Sequence, residues 1–523
     1  MLKFQVYDYG TESPSDPPAA SMLYHAHLLG NDNIGVPGEI SFADGVITCE
    51  KESTEAAGFS VLVDVDELGV LVLRTCLLPD RESPYLLHLE LARHRVKTFL
   101  VKLEDWMLCG IGTEHAVMQK WEQARDLLAR AIELELTDPK EADRLGREAL
   151  KTGLIATEQL AEMHADLLLA KRFGREALPK DSFGCMVHQS KFAPPLATTL
   201  SQQFDFVSIP IRWREVEPEE GRYDWTKYDK WMEWAAKSGY PVVAGPIVDF
   251  RPLAVPDWLY VWEHDYDTTH DLLHDHIEAI VRRYRKIVKV WNVASALHIN
   301  ENFTLAYDQL MDVTRMASSL VKSLHPGAET MIEVADPFGE YFAANPKSIP
   351  PIVYAEAIAQ SGFKVDVVGI SIQMGHQRMG RGTRDLMQIS SVLDELLSLD
   401  IPIAVSNLAV PSHRAIRDGV DPAGCWHGPW NPDRQSEFLE KVSAICLSKP
   451  FVQSVCIQEL YDHAASSIPG SGMITATGRG KPALARMGEV HRQLRDGTLR
   501  CSRPEERSWS ETAGYSKEAD FAG

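Results

Sequence analysis

The chain has 523 residues, 45% of them hydrophobic, and a formal net charge of −21 at pH 7. That is enough apolar material for more than one packed core. The negative balance excludes nucleic acid and anionic membrane as natural partners, since both need basic surface, and leaves a neutral polymer or a small molecule. The opening residues MLKFQVY read as a strand, not as a basic n-region before an apolar h-region. No run of about 18 apolar residues marks a membrane span. The eight cysteines are scattered and include no C-x-x-C pair, which reads as reduced core thiols. The expectation is a cytoplasmic protein, with export by another route left open.

Residues 1–112 are β-rich. Phe59, Val61, Val63 and Val65 alternate with Ser60, Leu62, Asp64 and Asp66, and Gly45, Gly58, Gly69 and Pro84 separate short segments such as 39–42, 70–73 and 86–91. A sandwich or jelly-roll-like domain is expected, either carbohydrate-binding or a structural cap. Residues 113–178 change to helical spacing. Val117, Trp121, Ala124, Leu128 and Ala131 share one face, and Asp138-Pro139 ends one helix and starts another. This predicts a helical hairpin linking two domains.

From residue 179 to 495 the pattern strand, loop, helix repeats eight times. The strands are expected at 183–188, 206–212, 241–248, 288–293, 330–334, 365–372, 401–405 and 452–457. Near-continuous apolar strands alternating with amphipathic helices mean a parallel sheet covered by helices, and eight such units close into a barrel. The fold class is therefore α/β, a (β/α)8 TIM barrel preceded by a β-rich domain and a helical hairpin. Residues 496–523 are polar and read as a disordered tail.

Motifs along the barrel carry a resemblance. Glu-Pro-Glu-Glu-Gly-Arg-Tyr-Asp-Trp at 217–225, Pro256-Asp257-Trp258-Leu259, the helix around His274 and His276, Val365 to Gln373 with His376, and Gly478 to Ala483 follow one another in order. Together they resemble glycoside hydrolase family 10, the endo-1,4-β-xylanases, over most of the C-terminal three fifths of the chain. The resemblance implies a (β/α)8 fold, an oligo- or polysaccharide ligand, no cofactor and no metal. It also implies two catalytic glutamates, and here the sequence departs. The fourth-strand pattern W-D-V-V-N-E-A, whose Glu is the acid/base, reads Trp291-Asn292-Val293-Ala294-Ser295-Ala296-Leu297. The seventh-strand pattern I-T-E-L-D, whose Glu is the nucleophile, reads Val405-Ser406-Asn407-Leu408-Ala409.

A methyl group cannot protonate a glycosidic oxygen and an amide is a poor nucleophile, whereas retaining glycosidases need two carboxyls about 5–5.5 Å apart. The resemblance thus implies a glycan-binding pseudoenzyme, with Ala296 and Asn407 at the former catalytic positions. Two alternatives stay open: an active hydrolase using Glu333, Glu459 or Asp249 at strand C-termini, and a non-catalytic assembly scaffold. Arg212, Trp213, Gln373, His376, Trp426, Trp430 and Gln458 are the expected ligand-binding residues. Arg and Gln bond paired hydroxyls, and Trp covers the apolar face of a pyranose.

Overall fold

The computed structural model describes residues 1–7, 22–175, 180–360, 362–414 and 423–502. At the N-terminus two sheets face each other. In one, Leu2–Gln5 pairs antiparallel with Val46–Glu50 and parallel with Tyr85–Leu86, and Glu39–Ala43 forms the edge. In the other, Gly58–Asp64 and Gly69–Arg74 form an antiparallel pair flanked by His27–Leu29 and Gly35–Val36. Phe4 of the first sheet stacks on Phe59 of the second at 4.9 Å. The alternation expected over 59–66 is only half visible in the burial, because Gly58–Asp64 is covered on both faces up to Val63.

Three helices follow: Leu87–Asp105, Ala116–Leu134 and Pro139–Arg175. The last two are the expected hairpin, and the buried face of the middle helix is Val117, Trp121, Ala124, Leu128 and Ala131, as its spacing dictated. The first helix is a correction. Leu86–Leu91 alternates like a strand in isolation, but Ala92, Val96, Phe99 and Leu103 continue the burial at steps of three and four, and the chain is helical from Leu87. Phe99 stacks on Trp121 at 5.6 Å, and the Trp121 indole donates to the Val96 carbonyl.

The barrel strands are Phe183–Met186, Phe206–Ile209, Val242–Ala244 with Val248–Asp249, Val290–Ser295, Glu329–Val334, Val367–Gln373, Ile403–Ala409 and Val452–Ile457. Every pairing among them is parallel, and the ring closes where Val452–Ile457 meets Phe183–Met186. Helices from Pro194–Gln203 to Pro482–Asp496 cover the outside. The molecule is a closed (β/α)8 barrel with a β-rich N-terminal region. The third strand, expected as one run, is broken at Gly245-Pro246. Proline donates no ladder hydrogen bond, and a Cβ at Gly245 would lie 2.1 Å from the Asn292 carbonyl oxygen. No helix among the described residues is long and apolar enough to cross a membrane.

The loop after the seventh strand is stitched into the N-terminal region. Cys425–Trp426 adds an antiparallel strand to Gly69–Arg74, with Trp426 opposite Gly69. The fit needs glycine at 69, where φ is +97° and a Cβ would meet the Cys425 carbonyl at 2.2 Å. Trp426 and His427 both bond the Glu158 carboxylate of the long helix, at 2.7 and 2.6 Å. Burial opposes charge on His427, but the Glu158 carboxylate outweighs it and raises the imidazole pKa above its ordinary 6.5. Against the same cost of burial, His427 and the surrounding donors hold Glu158 below the usual carboxylate range.

A raised histidine pKa contributes stability that is complete below 6.5 and is lost as pH rises through the folded-state value. The melting temperature of the wild type should therefore fall on the alkaline side of 6.5, while His427→Asn, which suits the φ of 51° there, should be flat over that range. Parallel pH profiles for the two proteins would remove the ion pair from this account.

The chain end is a second correction. Of the expected tail, residues 496–502 are described. Leu499, Cys501 and Ser502 are buried, and the backbone N–H groups of Cys501 and Ser502 donate to the Asp166 carboxylate on the long helix. Residues 503–523 lie outside the described residues.

Candidate functional site

A barrel strand alternates its side chains, so residues 292 and 295 would ordinarily face opposite sides. A register shift between Asn292 and Ala294 against the fifth strand changes this. Ser295 Oγ donates to Glu333 Oε1 at 2.6 Å, and Asn292 Nδ2 reaches Glu333 Oε2 at a long 3.5 Å. A second irregularity, between Val405 and Leu408 of the seventh strand, accompanies the turn of Asn407 inward, where Nδ2 donates to Glu333 Oε2 at 2.8 Å. Glu333 is thus the centre of the barrel's polar interior, 1% exposed and held by neutral donors. Among the described residues no cation stands within ion-pair distance of it.

The other carboxylates near the strand C-termini are committed elsewhere. Asp249 is gripped by Arg251, which reaches both carboxylate oxygens and also donates to Ser295 Oγ at 3.3 Å. Asp336 pairs with Arg381 at 3.2 Å, both 4% exposed, and Glu340 with Arg384. Glu459 is buried with His463 Nε2 at 2.6 Å, and the His463 ring lies 4.0 Å from that of His188. Burial, then the neighbouring His463, lowers the His188 imidazole to about 4. Asp462 holds Lys481 at 2.7 Å. Of the three fallback carboxylates, Glu333 is bound to amides and a hydroxyl, Asp249 to a guanidinium, and Glu459 lies against the His463 imidazole.

Ala296 takes the left-handed conformation, φ 58°, and its methyl belongs to an apolar cluster with Ile299, Ala335 and Tyr341, flanked by Phe342. The surroundings of this position are as apolar as the residue.

The model of glycosyl hydrolase family 10 matches residues 175–467, more than half of the chain. This chain belongs to that family. It is 29% identical over 247 residues to endo-1,4-beta-xylanase B of Thermotoga neapolitana, covering 47% of this chain and 66% of that protein. It is 23% identical over 210 residues to endo-1,4-beta-xylanase A of Fusarium oxysporum f. sp. lycopersici, covering 38% of this chain and 62% of that one. The chain thus spans about three fifths of the length of the curated relatives it matches. Among solved structures, native xylanase 10B from Thermotoga maritima aligns over 63% of this chain and 98% of its own, at 16% identity and a TM-score of 0.46.

The family 10 motifs that survive hold structure. Glu217 accepts the Gly221 N–H at 2.8 Å and the Trp213 indole at 2.7 Å, closing the loop after the second strand. Trp213 is 2% exposed and stacks on His276 at 4.2 Å, so it is core and not a sugar platform as expected from the sequence. Trp426 and Trp430 correct the same expectation. Trp426 is buried in the joint with the N-terminal sheet, and Trp430 is 3% exposed, edge-on to Phe438, with its indole donating to the Gly424 carbonyl. Trp426 packs against the N-terminal region and Trp213 and Trp430 against the barrel's own helices, contacts that local sequence does not show.

Gln373, Gln458 and Ser467 form one buried hydrogen-bonded group, with Ser467 Oγ accepting from Gln458 at 2.7 Å and from Gln373 at 3.2 Å. His376 is half-buried, and burial, then Arg381 and Arg378, lowers its pKa. Arg212 pairs with Glu215 at 3.4 Å and keeps 30% of its side chain exposed. Sequence reasoning missed Arg251, Arg381 and the role of Ser295. For Ser295 the signal was its place where the fourth-strand family pattern carries Asn, and for Arg251 and Arg381 local sequence offered none.

Proposed function

We propose that this family 10 barrel binds a saccharide at the C-terminal ends of its strands without hydrolysing it. The observation that carries the reading is the state of the two catalytic positions. Asn407 uses its amide to hold Glu333, and Ala296 sits in an apolar cluster. Double displacement needs a nucleophilic carboxylate facing an acid, and the carboxylates nearby are engaged by a guanidinium or by amide and hydroxyl donors, or lie against an imidazole. The ligand class follows from the family and from relatives named as endo-1,4-beta-xylanases. Partly exposed Arg212 and Arg378, with half-buried His376, offer donors suited to vicinal hydroxyls.

The purified chain should release no reducing sugar from xylan, yet bind xylo-oligosaccharides in calorimetry, with affinity lowered about tenfold or more in Arg212→Ala. Release of reducing sugar that disappears in Glu333→Gln or Glu459→Gln would overturn the proposal in favour of hydrolysis through non-family carboxylates. Absence of binding to xylo-, cello- and manno-oligosaccharides would overturn the saccharide ligand itself.

A further inference from the structure

TIM barrels normally fill their interior with layers of large branched side chains. This one does not. Small residues occupy inward positions, among them Ser208, Ala404, Ser406 and Ser454, and a cavity of about 270 Å³ runs between the strands. The interior apolar side chains split into two minor clusters, Met186, Phe206 and Cys456 on one side and Met331, Val367 and Ala404 on the other, both separate from the main core. The cavity reaches from the strand N-termini, where Lys180 and Lys289 are exposed, up to Glu333. Its mouth is therefore at the opposite end from the family's saccharide face.

At the closed end the polar groups are of one kind. Asn407 and Asn292 turn their amide nitrogens toward Glu333, which leaves both Oδ1 atoms without a hydrogen-bond partner. Ser406 Oγ has none either. Asn292, Ser406 and Asn407 are 4%, 7% and 7% exposed and line the cavity together with Glu333. Buried acceptors without donors are rare in folded proteins, and the carboxylate beside them has no direct ion pair, Arg251 reaching it only through Ser295 Oγ. What would satisfy all of them is a donor-rich positive group, and what suits the thioether and aliphatic walls is a short hydrocarbon.

We propose that the barrel interior is a binding site for a small organic ammonium ion, entered from the N-terminal end of the barrel. The ammonium N–H groups donate to Asn292 Oδ1, Asn407 Oδ1 and Ser406 Oγ, the charge balances Glu333, and the alkyl part lies between Met186 and Met331. The saccharide reading is not needed for this site, and either stands if the other fails.

The test titrates the full chain with n-butylammonium chloride, n-butanol and potassium chloride, by calorimetry and by thermal shift at constant ionic strength. The ammonium ion should bind the wild type at least tenfold more tightly than the alcohol, and Glu333→Gln should erase that preference while leaving butanol unchanged. Ala404→Phe, which fills the apolar side without touching the carboxylate, should lose both ligands and keeps the test decisive if Glu333→Gln does not fold. Equal affinity for amine and alcohol, stabilisation by potassium chloride matching that by the ammonium ion, or no response to butylammonium would each overturn the proposal.

Discussion

Replacing Arg95 by alanine is expected to destabilise the protein by about 3–5 kcal/mol, the usual cost of stranding one partner of a buried ion pair. Arg95 lies on the first helix of the N-terminal bundle, and its guanidinium meets Asp385 in two parallel bonds of 3.1 and 2.6 Å, with a third to Thr157 at 3.3 Å. The two side chains are 4% and 0% exposed. Asp385 also caps the barrel helix Leu386–Glu395 through a reciprocal capping box with Gln388. Losing the guanidinium therefore strands a charge and weakens a cap at once. Chemical denaturation measures the loss. The double change Arg95→Met with Asp385→Asn should recover most of it, because no buried charge remains. A loss for Arg95→Ala below about 1 kcal/mol would mean that water reaches Asp385 and that the bundle is only loosely attached to the barrel.

Asn407→Asp should cost about 3 kcal/mol at pH 7, the equivalent of roughly two pKa units, and the cost should vanish in acid. Asn407 Nδ2 lies 2.8 Å from Glu333 Oε2, so aspartate would set two carboxylates at hydrogen-bond distance with no cation between them. Both cannot stay ionised, and one is forced to keep its proton. A carboxyl pKa raised in the folded state destabilises the fold at every pH above the unfolded value. The deficit grows as pH rises from about 4 through the raised value and is then constant. The melting-temperature difference between wild type and variant, followed from pH 4 to pH 8, checks this, and a deficit independent of pH would show that the residue does not face Glu333. If the barrel binds a saccharide without hydrolysing it, as proposed, a carboxylate placed at 407 should also confer no hydrolysis, since Ala296 offers no proton donor.

The eight barrel units were visible because strand and helix have different periods, and a local pattern is enough to show which is which. The family motif from Glu217 to Trp225 was equally plain, since it is a matter of residue identity at each position. The helix Leu87–Asp105 was mistaken at its start because six residues carry too little of a period. Trp213, Trp426 and Trp430 are buried rings whose packing no local pattern shows, since a sequence gives the presence of a ring but not what it packs against.

The sequence by itself determined the parallel barrel, the β-rich start and the family, all of which rest on short-range pattern or on single positions. Only the tertiary structure decided that the seventh-strand loop completes an N-terminal sheet, that Glu333 is held by Asn407 and Ser295 from separate strands, and that small residues leave the barrel interior hollow. The physical reason is the same in each case. These features arise where segments far apart in the chain meet, and their energies come from burial and from charges brought together only when the barrel closes.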